Sequence, residues 1–457
     1  MDYLDRLARF VHDASYATLP PPVVVAARLV LLDTLGAMLA GSRLPENARL
    51  AGLAADRSGP RTATLIGHAE RGEPMLAALV NATAGVALEV DEGNRWGGGH
   101  PAIHVLPGLL AVAEELGADG PRLLAAFVAG YDVSSRMGGA TVPRFNVHTH
   151  GTWGTVGTAA AVARLFELDT TAIRRVMNLA VSMSPANSWT PCFEGATIRN
   201  LFPGRSGLQG VLAVHLHRCG FTAPVDAPAD VYGAILGERF DPGQTVERLG
   251  EDYRITTNYF KLHACCRINH YALDALLRIM RAHRFGPDDV EQVTVTSIPF
   301  GERMAEPAPD SMLAAKFSIP YAVAAALVLG RTDVAAFEEG AVGDPRVRRL
   351  AARVEIASDP AMNPRRPDDY PTAVVTVALA DGRTFTDSTV VVRGDAAAPV
   401  DPGEVIEKFE ALASPVLGGA GARSVVEAVD RIDELKDVRE LTALLGRRAG
   451  VGELASR

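Results

Sequence analysis

The hydrophobic period of this chain changes near residue 270 and changes back near 395, and that double switch limits the folds open to it. Before the switch, apolar residues recur at helical spacing in one segment after another: Val23–Leu39, Leu76–Leu88, Leu106–Leu116, Arg122–Met137, Gly154–Phe166, Ile173–Ser182 and Ser206–Cys219. Pro20-Pro21-Pro22 ahead of the first segment and Gly41-Ser42 behind it are helix start and stop signals. After the switch, Tyr271–His283 is still helical, but Val290–Thr296 alternates apolar and polar residues as a half-buried strand does. Alternation returns at Arg353–Ala357 and Ala373–Leu379, and Asp381-Gly382 offers a hairpin turn into Thr384–Thr386, with Thr389–Arg393 beyond. Helical spacing recurs at Ile319–Leu329, and in the tail at Pro402–Leu412 and Val425–Leu445. The expected fold is therefore mostly α. A large all-helical domain, residues 1–269, is interrupted by a smaller α+β domain, 270–395, and 396–457 returns to the helical part. The many Ala, Gly and Ser residues on the helices predict close helix–helix packing, and the junction of the two domains is a natural place for a ligand cleft.

Charge and composition narrow the partners. The 457 residues carry a net charge of -9 and no dense Lys/Arg stripe, which argues against nucleic acid. The acidic start, Met1-Asp2-Tyr3-Leu4-Asp5-Arg6, is unlike a secretory signal. No apolar run approaches the length that spans a bilayer, Tyr321–Gly330 having the length of a core helix, so no membrane partner is expected. The 4 cysteines, two of them adjacent at Cys265-Cys266, do not form a disulfide framework. A cytoplasmic protein is expected.

Chemistry-bearing residues gather in a few blocks. Among 45 basic residues only Lys261, Lys316, Lys408 and Lys436 are lysines. An ammonium can shed its proton when desolvated and a guanidinium cannot, so Lys261, in Asn258-Tyr259-Phe260-Lys261-Leu262-His263-Ala264-Cys265-Cys266-Arg267, reads as a proton-transfer group or as one half of an ion pair. A second block, Glu89-Val90-Asp91-Glu92-Gly93-Asn94-Arg95-Trp96, runs through three glycines to His100-Pro101 and His104. By itself it reads as a mobile polar loop, or as a loop whose glycine amides approach an anion. The third block, Asn146-Val147-His148-Thr149-His150-Gly151-Thr152-Trp153, leads into a helix whose N-terminal amides would suit a carboxylate. His148 and His150 there are acid–base candidates or bystanders of a cap. Metal spacing is poor: Pro101 puts His100 ahead of its helix, off the face that carries His104, and the cysteines lack paired zinc spacing. Gly-x-Ser-x-Gly does not occur.

In this order the blocks resemble the MmgE/PrpD family, which includes 2-methylcitrate dehydratase, cis-aconitate decarboxylase and iminodisuccinate epimerase. The similarity runs from Leu32-Asp33-Thr34-Leu35-Gly36 through Gly99-His100-Pro101, His148-Thr149-His150-Gly151-Thr152 and Lys261–His270 to Ala315-Lys316-Phe317-Ser318-Ile319-Pro320-Tyr321. The resemblance implies a helical domain with an α+β lid, a homodimer, and no metal or organic cofactor. It also places His100, His148 and Lys261 in the active site, and puts Arg199 where relatives carry a lysine. Departures fall on the site: Glu89-Val90-Asp91-Glu92-Gly93 replaces Asp-x-Asp-Asp-Thr, an extra residue enters before His100, and His150 stands where Thr is common, so a family-like reaction on a substrate other than 2-methylcitrate or cis-aconitate is expected.

The expected reaction is proton transfer at a carbon next to a carboxylate of a small di- or tricarboxylate. Lys261 and His148 would move protons, His100 would donate to a leaving oxygen or orient the substrate, and Asp91 would orient a histidine. Arg199, with the loop amides, would hold substrate carboxylates; Asn94 and His150 would add contacts, and Tyr321 would complete the cleft on closure. A lyase leads, an epimerase follows, and a non-catalytic polycarboxylate-binding homologue is the third reading.

Overall fold

The structure is a computed structural model that describes residues 2–364 and 372–446; residues 365–371 of the expected α+β domain and 447–457 of the expected tail lie outside the described residues. Helices dominate the first part: α1 (Tyr3–Asp13), α2 (Pro21–Ser42), α3 (Pro45–Arg57), α4 (Pro74–Val86), α5 (Pro101–Leu116), α6 (Gly120–Gly139), α7 (Gly154–Leu165), α8 (Thr170–Ser182) and α9 (Leu201–Arg218). Their ends follow local chemistry. Asp119 and Asp169 accept from backbone amides as N-caps of α6 and α8, and Gly117 closes α5 with φ 62°. Glycine lets α6 and α7 approach closely: a Cβ on Gly130 would lie 2.6 Å from both Ala161 Cβ and the Gly157 carbonyl.

The α+β part contains α10 (Arg267–Ala282), α11 (Ile319–Leu329) and strands β1 (Val290–Ser297), β2 (Val354–Ser358), β3 (Ala373–Leu379) and β4 (Thr384–Thr389). The sheet order is β4-β3-β1-β2, with β1 parallel to β2 and the other neighbours antiparallel. Alternation puts Val293 and Val295 of β1 and Val375 and Val377 of β3 in a core shared with α10 and α11. The expected Thr389–Arg393 strand stops at Thr389, because the chain turns there to reach Gly394, whose carbonyl accepts from Phe260 N at 2.9 Å.

The tail forms α12 (Pro402–Asp430), broken at Gly418 (φ 72°, ψ 159°), and α13 (Arg439–Leu445). The expected continuous Val425–Leu445 helix is interrupted at Arg431–Val438. Asp433 in that gap is held by Tyr16 Oη at 2.8 Å and by Arg28, which draws the chain off the helical path. Val405, Phe409, Val425 and Leu441 of the tail are buried in the same core as α2, α5 and α6.

The expectation that no apolar run reaches membrane length is corrected by α2. Its 22 residues are long and apolar enough to cross a bilayer by composition, yet 67% of its most apolar window is buried inside the fold. It packs against α4 and α12, so its apolar surface is covered by protein on several sides.

Candidate active site

The acid-rich loop between α4 and α5 is not a mobile polar loop. Glu89, Asp91, Glu92 and Asn94 are each 0–1% exposed. Leu88 and Val90 pack into the core of the α+β part, so the alternate residues, Glu89 and Asp91, turn the other way. Glu89 is held at φ 54°, a left-handed conformation that costs a non-glycine residue on the order of 1 kcal/mol. Gly93 is required here, because a Cβ on it would lie 2.3 Å from the Tyr259 ring across the short pairing of Gly93–Asn94 with Asn258–Tyr259.

That pairing brings the Lys261 block against the acids. Lys261 Nζ lies 2.8 Å from Glu89 Oε2 and 3.5 Å from Asp91 Oδ1, and Arg199 Nη1 lies 2.5 Å from Glu89 Oε1. Burial alone would strip the Lys261 proton, but Glu89 and Asp91 outweigh it and hold the ammonium above its ordinary range. Burial likewise opposes ionisation of Glu89 and Asp91, and the cations facing them, Arg199 and Lys261 for Glu89, Lys261 and His100 for Asp91, bring both below the usual carboxylate values. Glu92 is different. It accepts from Ala102 N at 2.8 Å and Tyr131 Oη at 2.9 Å, and burial pushes its carboxyl up to about 8.

Four imidazoles meet in front of this network, and their hydrogen bonds fix their roles. His100 Nδ1 faces two acceptors, the Glu92 carbonyl at 2.6 Å and Asp91 Oδ2 at 3.0 Å, so Nδ1 carries the proton and Nε2 is left for a ligand. His148 Nδ1 accepts from His150 N at 3.0 Å, so its proton sits on Nε2, which makes no hydrogen bond to the described residues. His104 accepts from Gly151 N at Nε2, 2.7 Å, and faces the His100 carbonyl through Nδ1, 2.6 Å. His150 stacks on His100 with centroids 4.3 Å apart, and neither of its ring nitrogens bonds to the described residues. Burial, reinforced by nearby Arg199 and His100, keeps His148 and His150 neutral, and burial takes His104 down to about 4. The amides expected to bind a carboxylate ahead of α7 are therefore capped by histidine nitrogens instead.

A cavity of about 280 Å³ opens onto this cluster. His100, His148, His150 and Arg199 supply its polar wall with Arg95 and Arg267, while Trp189, Tyr259, Tyr271 and Phe317 supply an aromatic one. His148 stacks on Trp189 at 3.8 Å. A larger groove of about 530 Å³, beside Arg6, Phe10, Leu249 and Tyr253, is lined by no histidine, so volume alone does not locate the chemistry.

The structure thus brings Asp91, His100, His148, His150 and Arg199 together. Asn94 lines the cavity but commits its amide to the Arg254 carbonyl, 2.8 Å, and its oxygen to Gly97 N, 2.9 Å. Lys261 stands behind Glu89, 1% exposed, outside the cavity wall. Tyr321 is placed elsewhere: it is buried in the α+β core, donates to the Ala336 carbonyl at 2.7 Å and packs on Phe337. Its position early in α11 is fixed by Ser318, which caps that helix. Sequence reasoning gave no role to Glu89, Trp189, Phe317 or Arg267. The spacing of His104 four residues after His100 was the one available sign of its part in the cluster. Asp91, His100 and His150 offer ligand atoms within 4.8 Å of one another, but an ion there would share Asp91 with the Lys261 ammonium, with Arg199 next to it on Glu89, an arrangement that opposes a dication.

Comparison with known proteins decides the family. The MmgE/PrpD N-terminal domain matches residues 5–238, and the MmgE/PrpD C-terminal domain matches 263–434. The chain belongs to the MmgE/PrpD family. It is 28% identical to cis-aconitate decarboxylase of Homo sapiens over 467 aligned positions, covering 96% of this chain and 94% of the relative. It is 25% identical to the cis-aconitate decarboxylase-like protein oryM of Aspergillus oryzae, covering 96% of each. With cis-aconitate decarboxylase of Aspergillus terreus it shares 22% identity, over 93% and 92% of the two chains. The chain is an enzyme of the MmgE/PrpD type. Its C-terminal family region contains both the α+β part and α12, although α12 contributes its apolar face to the helical core.

Proposed function

We propose that this enzyme is a cofactor-independent lyase that breaks a bond at the carbon next to a carboxylate of a small di- or tricarboxylate, with decarboxylation of a cis-aconitate-like acid as the leading case. The observation that carries the reading is the Asp91–His100 pair aimed into a cavity that also holds Arg199. In a decarboxylation, the C–C bond to the departing carboxylate breaks and carbon dioxide leaves. The electron pair passes to the remaining unsaturated acid, and a proton must then be delivered to carbon. His100, protonated at Nδ1 toward Asp91, delivers that proton from Nε2 as imidazolium and returns to the neutral ring. Arg199 and the neutral Nε2–H of His148, both buried in the cavity wall, stabilise charge as it builds on the retained carboxylate. The sequence-based expectation is revised here: Lys261 keeps Glu89 and Asp91 ionised, and His148 donates a hydrogen bond without changing protonation.

Full-length similarity to proteins named cis-aconitate decarboxylase supports the lyase. Epimerisation needs bases on opposite faces of one carbon. His148 presents a protonated Nε2, and His150, with both ring nitrogens unengaged among the described residues, lies stacked against His100 and not across from it, so the epimerase is the weaker reading. The test is proton NMR of chelator-treated enzyme in deuterated water with cis-aconitate and other small polycarboxylates. An alkene product short of one carboxylate and carrying deuterium is expected. Deuterium on an unchanged skeleton would replace the lyase by an epimerase. Binding without turnover would make the chain a carboxylate-binding homologue.

A further inference from the structure

The cationic groups around the cavity divide into two sets with different surroundings. In the deep set Arg199 and Lys261 face Glu89 and Asp91. Nearer the solvent, Arg95 and Arg267 share one acid, Asp395, with Nε of Arg95 at 3.8 Å and Nη2 of Arg267 at 3.2 Å from the same Oδ2. The side-chain exposures, 1% for Arg199 against 11% for Arg267 and 21% for Arg95, put the second set toward the mouth.

Arg267 is also the better placed of the two mouth arginines. Its guanidinium lies 4.1 Å from the centroid of the Tyr259 ring, a stacking that fixes the plane of the fork. Nε and Nη1 are buried and make no hydrogen bond to the described residues. The other neighbour of Tyr259 is His100, edge-on at 6.2 Å between centroids. One aromatic ring therefore separates the proposed proton donor from a planar, oriented cation with two idle N–H groups.

We propose that Arg267 is a specificity-determining residue that grips a second, non-reacting carboxylate of the substrate at the mouth of the cavity, with Asp395 as the positioning residue that holds it beside Arg95. This assignment rests on the reading of the cavity as the catalytic site. It restricts the substrate class to acids with a carboxylate a few bonds from the reacting carbon, and it disfavours monocarboxylates. Because Arg267 opens α10 and Arg95 belongs to the loop ahead of α5, the carboxylate is gripped jointly by the two family regions.

Calorimetric titration with succinate, glutarate and adipate, each beside its half-amide, tests it. Wild type is expected to prefer one of the diacids over its half-amide by roughly tenfold or more. Arg267→Gln is expected to abolish that preference by weakening the diacid alone, with an unchanged melting temperature, and Arg267→Lys to fall between because it keeps charge but loses the fork. Asp395→Asn is expected to weaken the diacid less than Arg267→Gln does. Retention of the diacid preference in Arg267→Gln, or equal loss of diacid and half-amide, would overturn the assignment. The two readings fail separately. Turnover of polycarboxylates with an unaltered KM in Arg267→Gln sinks the mouth clamp and spares the lyase. An Arg267-dependent diacid preference in a protein that turns nothing over does the reverse, and a wild type that binds no diacid sinks both.

Discussion

Asp91 Oδ2 lies 3.0 Å from Nδ1 of His100, the carboxylate fully buried and the ring partly exposed in the cavity wall. The contact settles which imidazole nitrogen meets a ligand, and it stabilises the imidazolium that the reaction needs. Asp91→Asn and His100→Asn are therefore expected to lower kcat by roughly 10²–10⁴-fold with smaller changes in KM. Steady-state kinetics on the accepted substrate decides this. A wild-type kcat in His100→Asn would remove His100 from the chemistry.

His148 should matter without titrating. Its Nδ1 is occupied by the His150 amide, and burial holds the ring neutral. His148→Ala is expected to reduce kcat by roughly 10²-fold, the usual scale for losing one preorganised donor. His148→Gln, which can still donate, should recover part of that loss, and the pH profile of kcat should keep its wild-type limbs in both variants. A shifted limb would mean that His148 exchanges protons during turnover.

Buried neutral histidines also set the acid stability. His104, His148, His150 and His270 all have folded pKa values depressed below the ordinary histidine range, with burial as the leading cause. On unfolding, each ring binds a proton once the pH falls below about 6.5, so the unfolded state gains protons that the native state refuses. The melting temperature is expected to be level above that pH with respect to these groups and to fall steeply between about pH 6.5 and 5. A melting temperature flat over that window would show that the rings are charged in the folded protein.

Glu92 acts in the opposite direction. Its folded value is raised to about 8 from an ordinary 4.5, so its contribution is present at low pH and is lost as pH rises through the window between them. Glu92→Gln keeps an acceptor for Ala102 N and removes the ionisation. It should stabilise the protein at pH 8 by on the order of 1–2 kcal/mol and change little at pH 4. Thermal melts of the two proteins at both pH values make the comparison.

Lys261→Met should show that this lysine is first of all the counter-ion of Glu89 and Asp91. Breaking one partner out of a buried ionic network typically costs about 3–5 kcal/mol, and the lower end is expected because Arg199 remains on Glu89. Urea unfolding monitored by fluorescence measures it. An unchanged midpoint would mean that the acids do not depend on Lys261 for their charge.

Much of this protein could be read from order and period alone. The helical spacing up to Cys219, the alternation at Val290–Thr296 and the return to helix at Pro402 are local consequences of side-chain periodicity, and the structure follows them closely. The blocks around His100, His148 and Lys261 were visible because chemistry-bearing residues crowd together in sequence there. Direction and pairing were not visible. Glu89 and Lys261 are 172 positions apart, and only the short pairing of Gly93–Asn94 with Asn258–Tyr259 brings them into contact and turns a candidate base into a fixed cation. The tautomers of His100 and His148 likewise depend on a carbonyl, a carboxylate and an amide placed by folding, and Tyr321 was drawn from the expected cleft into the α+β core by the capping of its own helix. Arg267 gave no local sign of its place, because its neighbours Tyr259 and Asp395 are set by two chain crossings. Sequence by itself determined which residues were available and which way each segment coils; tertiary structure decided which charges neutralise one another and which are left facing the ligand, because desolvation and Coulomb energies depend on distances that local periodicity does not encode.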